Sequence, residues 1–236
     1  MPIETWFPLA IYYEELVDAP QYQKLLVETV LQLEKQSEQK ILERDGNPEM
    51  AWTGDLHGVE QIHSDPHFAW IVEQVEAHTL IYLQEIGVDV TKLQLFIQRA
   101  WPIVSRPGQS VGDHCHNTAH ISAVFYISVP DSEEDAGSLV FFDDVQVNEV
   151  SPGLGSENTD IVDQDNFLNQ LHVVYEPVAG RLLLFPAKQR HGVTMNETDD
   201  VRVSLSFDIV ITASDRIKGV YEFLAPAPQQ WRAFSQ

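Results

Sequence analysis

The first third of the chain carries apolar residues at helical spacing. Residues 18–46 begin with Asp18 ahead of Pro20 and reach Gly46, a pattern that predicts a helix beginning near Asp18 and ending before the glycine. Its apolar positions are Leu25, Leu26, Val30 and Leu33. This spacing predicts one buried stripe on an otherwise polar helix.

A second helix is predicted over 64–87. Ser64 or Asp65 can cap its start, Pro66 suits the first turn, and Gly87 ends it. Its stripe comprises Phe68, Val72, Val75, Thr79, Tyr82 and Ile86. A stripe of this width needs a second layer to pack against, and a sheet is the layer that the rest of the chain can supply.

From Leu93 onward, the spacing changes from helical to the alternation of strands. The β-rich runs are separated by Gly, Pro and Asp, and they cover 93–104, 120–129, 137–144, 171–178, 181–186, 191–195 and 201–212. We therefore expect a mostly β protein with N-terminal helices, in which an antiparallel sandwich or barrel is backed by the helices.

The length of 236 residues suits one well-cored domain, so we expect 1–236 to form a single domain. Within it, 1–92 would be a mainly helical support layer and 93–212 the β core. Residues 145–170 are polar and long for a hairpin connection, which suggests an excursion over the mouth of the barrel. Residues 213–236 would form a C-terminal tail, and its aromatic residues make a homodimer plausible.

Two strands carry polar side chains on one face. If 111–129 forms one strand, alternation puts polar residues on one side: His114, His116, Thr118, His120, Ser122, Tyr126 and Ser128. Strand 201–211 repeats this with Arg202, Ser204, Ser206 and Asp208. Such faces often point to water. Solvent faces usually carry Lys, Glu and Thr, however, so we favour a barrel with a polar interior.

The histidines on this face have the spacing of metal ligands. The Cα atoms of His114 and His116 would lie roughly 6–7 Å apart on a strand, so both rings could reach one ion. His191, which follows the apolar strand 181–186, is the candidate third ligand. Such a set leaves coordination positions open, which suits Fe(II), Mn(II) or Cu(II) chemistry better than structural zinc. His120 lies too far along the strand to be a ligand, and we expect it beside the ligands in the pocket.

The charge of the chain narrows the possible partners. With 14 Lys and Arg against 36 Asp and Glu, the formal net charge is −22, so nucleic acids and anionic membranes would be repelled.

No basic residue precedes Lys24 and no long apolar run occurs at the start, so we expect no signal peptide or membrane anchor. The single cysteine, Cys115, cannot form an internal disulfide, which favours the cytoplasm, and we interpret it as a structural thiol rather than a nucleophile.

Four segments together resemble a known family. "RPGQSVGDHCHNTAHISAVFYISVP", "GSLVFFDD", "GRLLLFPAKQRHGV" and "VRVSLSF" occur in this order. They are similar to a group of 2-oxoglutarate- and Fe(II)-dependent oxygenases of bacteria and phages, and the opening "WFPLAIYYEEL" is similar to the start of that group. The resemblance implies a double-stranded β-helix, also called a jelly roll, that uses Fe(II) as cofactor and 2-oxoglutarate as co-substrate.

The resemblance also implies roles for individual residues. His114 and His191 would bind iron, with His116 at the position where relatives of the wider superfamily often have Asp or Glu. Arg202 would bind the far carboxylate of 2-oxoglutarate through two hydrogen bonds, with Ser204 beside it on the strand face, and Tyr126 could donate to the same carboxylate. An internal salt bridge is the alternative explanation for Arg202.

A neutral imidazole in place of a carboxylate leaves the metal more positive. Such a centre could admit a water, a halide or a nearby acid. Asp113, Asp143 and Asp144 are candidates for that acid, although strand alternation turns Asp113 away. The residues therefore support metal binding more directly than they support hydroxylation.

Two alternatives share the same barrel. A cupin-type metal-dependent dioxygenase or isomerase fits Gly108, His114 and His116, but the Glu expected a few residues later is missing, because 117–120 reads Asn, Thr, Ala, His. A barrel that binds a ligand without catalysis is the second alternative. We expect an Fe(II)- and 2-oxoglutarate-dependent dioxygenase that acts on a small-molecule or peptide substrate of unknown identity.

Overall fold

A computed structural model describes residues 3–38, 49–145, 148, 162–164, 166–214 and 224–234. Within these residues, the chain forms two α-helices and ten β-strands. Most of the predicted excursion over 145–170 and part of the predicted tail over 213–236 lie outside the described residues. No helix in the described ranges combines the length and apolarity that crossing a membrane requires.

Both predicted helices are present. Helix α1 spans Ala19–Glu38 and α2 spans Ala69–Glu85. Before α2, a 3-10 turn over Pro66–Phe68 begins at Asp65, whose side chain accepts a hydrogen bond from the His67 amide and so confirms the predicted cap. The end of α1 predicted near Gly46 lies outside the described residues.

Six strands form the larger sheet, in the order β1, β8, β5, β10, β3 and β2, with every neighbouring pair antiparallel. Their bounds are β1 (Tyr12–Glu15), β2 (Trp52–Thr53), β3 (Leu93–Ser105), β5 (Ile121–Ser128), β8 (Arg181–Pro186) and β10 (Arg202–Ala213). Strands β3 and β10 are the longest and pair along most of their length.

The smaller sheet has four strands in the order β4, β9, β6 and β7, again antiparallel. Their bounds are β4 (Val111–His114), β6 (Leu139–Phe142), β7 (His172–Tyr175) and β9 (His191–Val193). This arrangement confirms the predicted mostly β architecture with helices behind it.

The two faces of the larger sheet bury different kinds of residue. Its outer face packs against both helices in a core that includes Leu26, Val30, Phe68, Ile71, Val75, Ala123, Phe125, Leu205 and Phe207. Its inner face meets the smaller sheet through Val124, Tyr126, Leu139, Phe141, Leu183 and Phe185. Alternation along each strand separates these sets, because successive side chains point to opposite faces.

The prediction of one continuous strand over 111–129 is wrong. Strand β4 ends at His114 and belongs to the smaller sheet, whereas β5 begins at Ile121 and belongs to the larger one. Between them, the amide of His116 donates to the carbonyl of Ala187, so the chain crosses from one sheet to the other. Alternation therefore cannot be counted from His114 through to Tyr126, because the extended backbone on which it depends is interrupted.

Candidate functional site

Three imidazoles meet between the two sheets. His114 ends β4, His116 follows it in the crossing segment, and His191 begins β9 directly opposite His114. Their ring centroids lie 4.4 Å (His114 to His191), 5.0 Å (His114 to His116) and 5.2 Å (His116 to His191) apart. One ligating atom from each comes within 4.8 Å of the others, so the three rings can share one ion.

Each ring is oriented through its Nδ1 atom. Nδ1 of His114 contacts the carbonyl of Gly112 at 2.8 Å, and Nδ1 of His191 contacts the carbonyl of Gln189 at 2.8 Å. Nδ1 of His116 contacts Oδ1 of Asp208 at 2.5 Å. Because carbonyls and carboxylates accept hydrogen bonds, each Nδ1 carries the proton and donates it. The Nε2 lone pairs therefore remain available for a metal, as in protein sites where a hydrogen bond fixes the ligand's tautomer.

Asp208 links His116 to a cation on the neighbouring strand. A shift of register between β10 and β3 after Asp208 leaves Arg99 directly opposite this carboxylate. Arg99 donates to Oδ2 from Nε at 3.1 Å and from Nη2 at 2.5 Å, while Oδ1 faces His116. Burial alone would raise the pKa of Asp208, but its hydrogen bonds and its charge interactions with His116 and Arg99 outweigh burial and lower it. The carboxylate is therefore held ionised although it is fully buried.

Burial also keeps two of the imidazoles neutral. It lowers the pKa of His191 to about 3, and the neighbouring His114 and His116 contribute in the same direction. It lowers the pKa of His114 as well, although less completely, because that ring lies on the solvent side of the cluster. Neutral imidazoles are the form that binds metals, so these rings can accept an ion without first losing a proton.

A buried guanidinium lies at the other end of the same face of β10. Arg202 is 1% exposed, and its Nη1 donates to the carbonyl of Gly137 at 2.6 Å. Its Nε has no hydrogen-bond partner among the described residues, and neither does the buried hydroxyl of Tyr126 nearby. No carboxylate in the described parts of the chain forms an ion pair with Arg202. The internal salt bridge considered as its alternative role is therefore absent from these parts.

Gly137 makes the approach of Arg202 possible. A Cβ atom at this position would lie 2.8 Å from Nη1 of Arg202, and the backbone φ of +92° favours glycine. Asp135 shapes the turn, because its carboxylate accepts hydrogen bonds from the Gly137 amide and from the Ser138 and Thr194 hydroxyls. The guanidinium is thus positioned by backbone and turn geometry, which leaves part of its donor capacity unused.

Comparison with known proteins agrees with this arrangement. Residues 99–208 match the family model described as "Putative 2OG-Fe(II) oxygenase". The β core over these residues is similar to the 2-oxoglutarate- and Fe(II)-dependent oxygenases. The matched residues include all three imidazoles, the Asp208 carboxylate and Arg202. The chain's resemblance to that oxidoreductase family, inferred from four short segments, is confirmed.

Solved structures resemble the chain in fold. A Pseudomonas putida prolyl-4-hydroxylase has 14% identity and a TM-score of 0.52, covering 85% of this chain and 92% of that one. The carbocyclase SnoK of nogalamycin biosynthesis, described as non-heme and alpha-ketoglutarate-dependent, has 14% identity and a TM-score of 0.56, covering 92% and 88%. HygX of Streptomyces hygroscopicus, solved with nickel and 2-oxoglutarate bound, has 14% identity and a TM-score of 0.53, covering 86% and 83%. No curated protein matches the sequence. These likenesses confirm the predicted double-stranded β-helix.

His120 is not part of the imidazole cluster. His120 is exposed, and its Nδ1 accepts a hydrogen bond from the Ile211 amide at 3.1 Å on the far part of β10. The expectation that His120 lies beside the ligands depended on the continuous strand, and it falls because that strand is interrupted before Ile121. Ser204 is buried on the same face of β10 as Arg202, and it lies opposite Tyr126 on β5.

The three acids considered as a substitute ligand have other partners. Asp143 accepts a hydrogen bond from the Val145 amide at 3.0 Å. Asp113 and Asp144 both accept hydrogen bonds from Arg190 at the mouth of the site, at 2.9 Å and 2.6 Å. The carboxylate that does reach the imidazoles is Asp208, which contacts His116 through Nδ1 rather than from the metal side. Sequence reasoning placed Asp208 on the polar face but assigned it no role. Its even spacing from Arg202 and Ser204, and the matching inward position of Arg99, were the available signals.

Proposed function

We propose that the protein is an Fe(II)- and 2-oxoglutarate-dependent dioxygenase that hydroxylates a substrate C–H bond. In this reaction, substrate, O2 and 2-oxoglutarate are converted to hydroxylated substrate, succinate and CO2. One oxygen atom enters the substrate and the other enters succinate. The proposal rests chiefly on one observation. Three oriented imidazoles and a buried guanidinium, which forms no ion pair within the described residues, lie between the two sheets, and we call this polar region the chamber.

The imidazoles fit a mononuclear iron site. His114, His116 and His191 would hold the ion through Nε2, because each Nδ1 is committed to a hydrogen bond. Three protein ligands leave other coordination positions free for co-substrate and oxygen, as redox iron sites require. When bound, the iron and 2-oxoglutarate supply the oxidising chemistry, and the protein supplies binding, orientation and shielding from water.

Arg202 fits the far carboxylate of 2-oxoglutarate. A buried cation without a paired anion is costly, so its Nε and the Tyr126 hydroxyl are suited to an anionic partner with at least two acceptor atoms. Burial lowers the pKa of Arg202, and the interactions with Tyr126 and Asp135 oppose that effect. The apolar residues around the chamber, Leu139, Phe141, Leu183 and Phe185, exclude water and strengthen this charge pairing.

We also propose that the substrate is a neutral or basic small molecule or peptide, because the net charge of −22 disfavours anionic partners such as nucleic acid. Asp55, whose charge acts on His114, contributes to this preference. The homodimer and the cytoplasmic location stay predictions.

Anaerobic titration tests the proposed function. The metal-free protein would be titrated with Fe(II) and then with 2-oxoglutarate, and the metal-to-ligand charge-transfer absorption would be followed. We expect the band to appear. In Arg202→Met, which keeps most of the length of the side chain without its charge, iron should still bind. Half-saturation of this variant should need roughly 10- to 100-fold more 2-oxoglutarate, because that factor corresponds to the free energy lost with one charge-assisted hydrogen bond.

The same titration separates the alternatives. Iron binding without the band would contradict the oxygenase proposal and favour cupin-type chemistry, in which 2-oxoglutarate takes no part. Absence of any metal binding would indicate a barrel that binds a ligand without catalysis. His191→Ala serves as the control, because loss of one imidazole should abolish the band if these rings hold the iron.

A further inference from the structure

The three imidazoles are not anchored alike. Nδ1 of His114 and of His191 each donates to a neutral backbone carbonyl two residues away in the chain, whereas Nδ1 of His116 donates to a carboxylate. His116 is also the residue that occupies the position where relatives of the wider superfamily often have a carboxylate ligand. Among the described residues, Asp208 is thus the one anion in contact with the cluster, and it contacts His116, the ligand that differs from those relatives.

We propose that Asp208 is a positioning residue for the metal, and that it supplies through His116 the negative charge that a three-imidazole site lacks. This inference rests on the proposed function, because it assumes that the imidazoles hold a metal ion. It assigns the compensating charge to a residue 92 positions away from His116 in the sequence. Asp208 does not touch the metal in this arrangement, since it faces the opposite nitrogen of the ring.

The geometry favours strong coupling between Asp208 and His116. The side chain of Asp208 is 0% exposed and that of His116 is 5% exposed, so water does not screen their interaction. The Trp101 ring stacks on the His116 ring, with centroids 5.6 Å apart, and this contact limits rotation of the imidazole. A carboxylate at the distal nitrogen polarises the N–H bond and makes the opposite nitrogen a better electron donor to a metal.

Arg99 stabilises this carboxylate without neutralising its effect on His116. It binds Oδ2, whereas His116 faces Oδ1, and the Arg99 side chain is 35% exposed, so solvent screens part of its charge. The guanidinium also lies over the Trp101 ring, 5.0 Å from its centroid. Arg99 thus offsets the cost of burying Asp208, and the carboxylate remains the nearer charge to the imidazole.

A simpler role for Asp208 would be structural. As an ion pair, Asp208 and Arg99 could merely join β10 to β3, with the contact to His116 incidental. The two roles differ in what happens when both charges are removed together. An ion pair that only joins strands can be replaced by a neutral pair without effect on the metal, but a charge that acts through His116 cannot.

The test compares Asp208→Asn, Arg99→Gln and the double variant with the wild type. The amide oxygen introduced by D208N can still accept a hydrogen bond from Nδ1 of His116, so this substitution changes charge more than shape. The affinity for Co(II) would be measured by competition with a chelator, the Fe(III)/Fe(II) reduction potential by anaerobic titration, and the melting temperature on the metal-free proteins.

We expect D208N to bind Co(II) about 10- to 100-fold more weakly than the wild type, the usual loss when the partner behind a metal-binding histidine is removed. Its reduction potential should rise, because less electron donation favours Fe(II). R99Q should bind Co(II) near the wild-type value. The double variant D208N/R99Q should stay as weak as D208N and keep its raised potential, even though neither charge of the Asp208–Arg99 pair is left unpaired.

Recovery of wild-type affinity and potential in the double variant would overturn the inference and assign Asp208 to the ion pair alone. Equal affinities in wild type and D208N would also overturn it. If the wild type itself binds no metal, the proposed function fails and the inference fails with it, a result distinct from both others. If D208N fails to fold because Arg99 is left unpaired, the affinity and potential of the double variant are compared directly with those of the wild type.

Discussion

At the scale of single residues, Gly137 determines whether Arg202 can face the chamber. We expect Gly137→Ala to push the guanidinium aside, because the new Cβ would lie 2.8 Å from Nη1 of Arg202. The half-saturating concentration of 2-oxoglutarate should rise about tenfold or more, as for loss of a charge-assisted hydrogen bond, while the affinity for Co(II) stays unchanged. The 2-oxoglutarate requirement is measured on the Fe(II)-loaded protein by its charge-transfer absorption, and the Co(II) affinity is measured by titration of the metal-free protein.

Gly108→Ala is the matched control for that experiment. Gly108 has a similar left-handed backbone, with φ of +77°, but in the described parts of the chain no atom beyond the glycine and its two neighbours lies within 4 Å of the position its Cβ would occupy. Both variants therefore share the backbone strain, and only G137A meets Arg202. An equal rise in the 2-oxoglutarate requirement of both variants would show that strain, rather than displacement of Arg202, is responsible.

His191 makes the stability of the metal-free protein depend on pH. Burial lowers its pKa from an ordinary value of 6.5 to about 3, so between these values the unfolded chain binds a proton that the folded chain excludes. The free energy of unfolding is therefore undiminished by this group above pH 6.5. The free energy of unfolding falls as the pH drops from the unfolded towards the folded pKa, by up to about 1.4 kcal/mol per pH unit.

Chemical denaturation between about pH 5 and pH 7.5 measures this effect. His191→Asn replaces the imidazole with a group that does not titrate, so its free energy of unfolding should fall less steeply with decreasing pH than that of the wild type. Identical slopes in the two proteins would contradict the prediction and indicate that other groups account for the loss of stability in acid.

At the scale of elements, a metal ion would join the two sheets. His114 and His191 lie on β4 and β9 of the smaller sheet, whereas His116 is held to β10 of the larger sheet through Asp208. We expect saturating Co(II) to slow amide hydrogen exchange in β4 and β9 more than in β3. The slowing should reach up to about 100-fold when Co(II) is at about 100 times its dissociation constant, provided that local opening breaks the site.

His191→Ala is the control for the exchange experiment, since it removes one ligand on β9. Co(II) should then leave exchange in β4 and β9 nearly unchanged. Equal slowing in every strand would mean that the metal stabilises the whole fold and does not act specifically between these strands.

Secondary structure was largely predictable at this scale, with one informative failure. The apolar runs over 93–104, 181–186 and 201–212 became β3, β8 and β10, and the helical stripes became α1 and α2. Alternation also placed Arg202, Ser204 and Asp208 on one face. It failed between His114 and Ile121, because a change of sheet leaves no mark in the local pattern of apolar residues. The misplacement of His120 followed directly from that failure.

At the scale of the whole molecule, the two sheets and the helical layer have different roles. The helices cover the outer face of the larger sheet, which allows its inner face to carry carboxylate, hydroxyl and guanidinium groups beside apolar ones. The chain that encloses this chamber has a net charge of −22, while Arg202 is the chamber's buried cation on β10. The family model that matches residues 99–208 agrees with the function that these features support.

The sequence by itself determined the class of fold, the three candidate metal ligands and the choice of Arg202 as the candidate for binding 2-oxoglutarate. Alternation along strands and the order of short motifs can be read directly from a chain. Only the tertiary structure decided which sheet each strand joins and which atoms face each imidazole. The decisive contacts join residues far apart in sequence: Asp208 with His116, Asp208 with Arg99, and Arg202 with Gly137. Such pairs arise from the register between strands and the close approach of the two sheets, and no local pattern specifies these in advance.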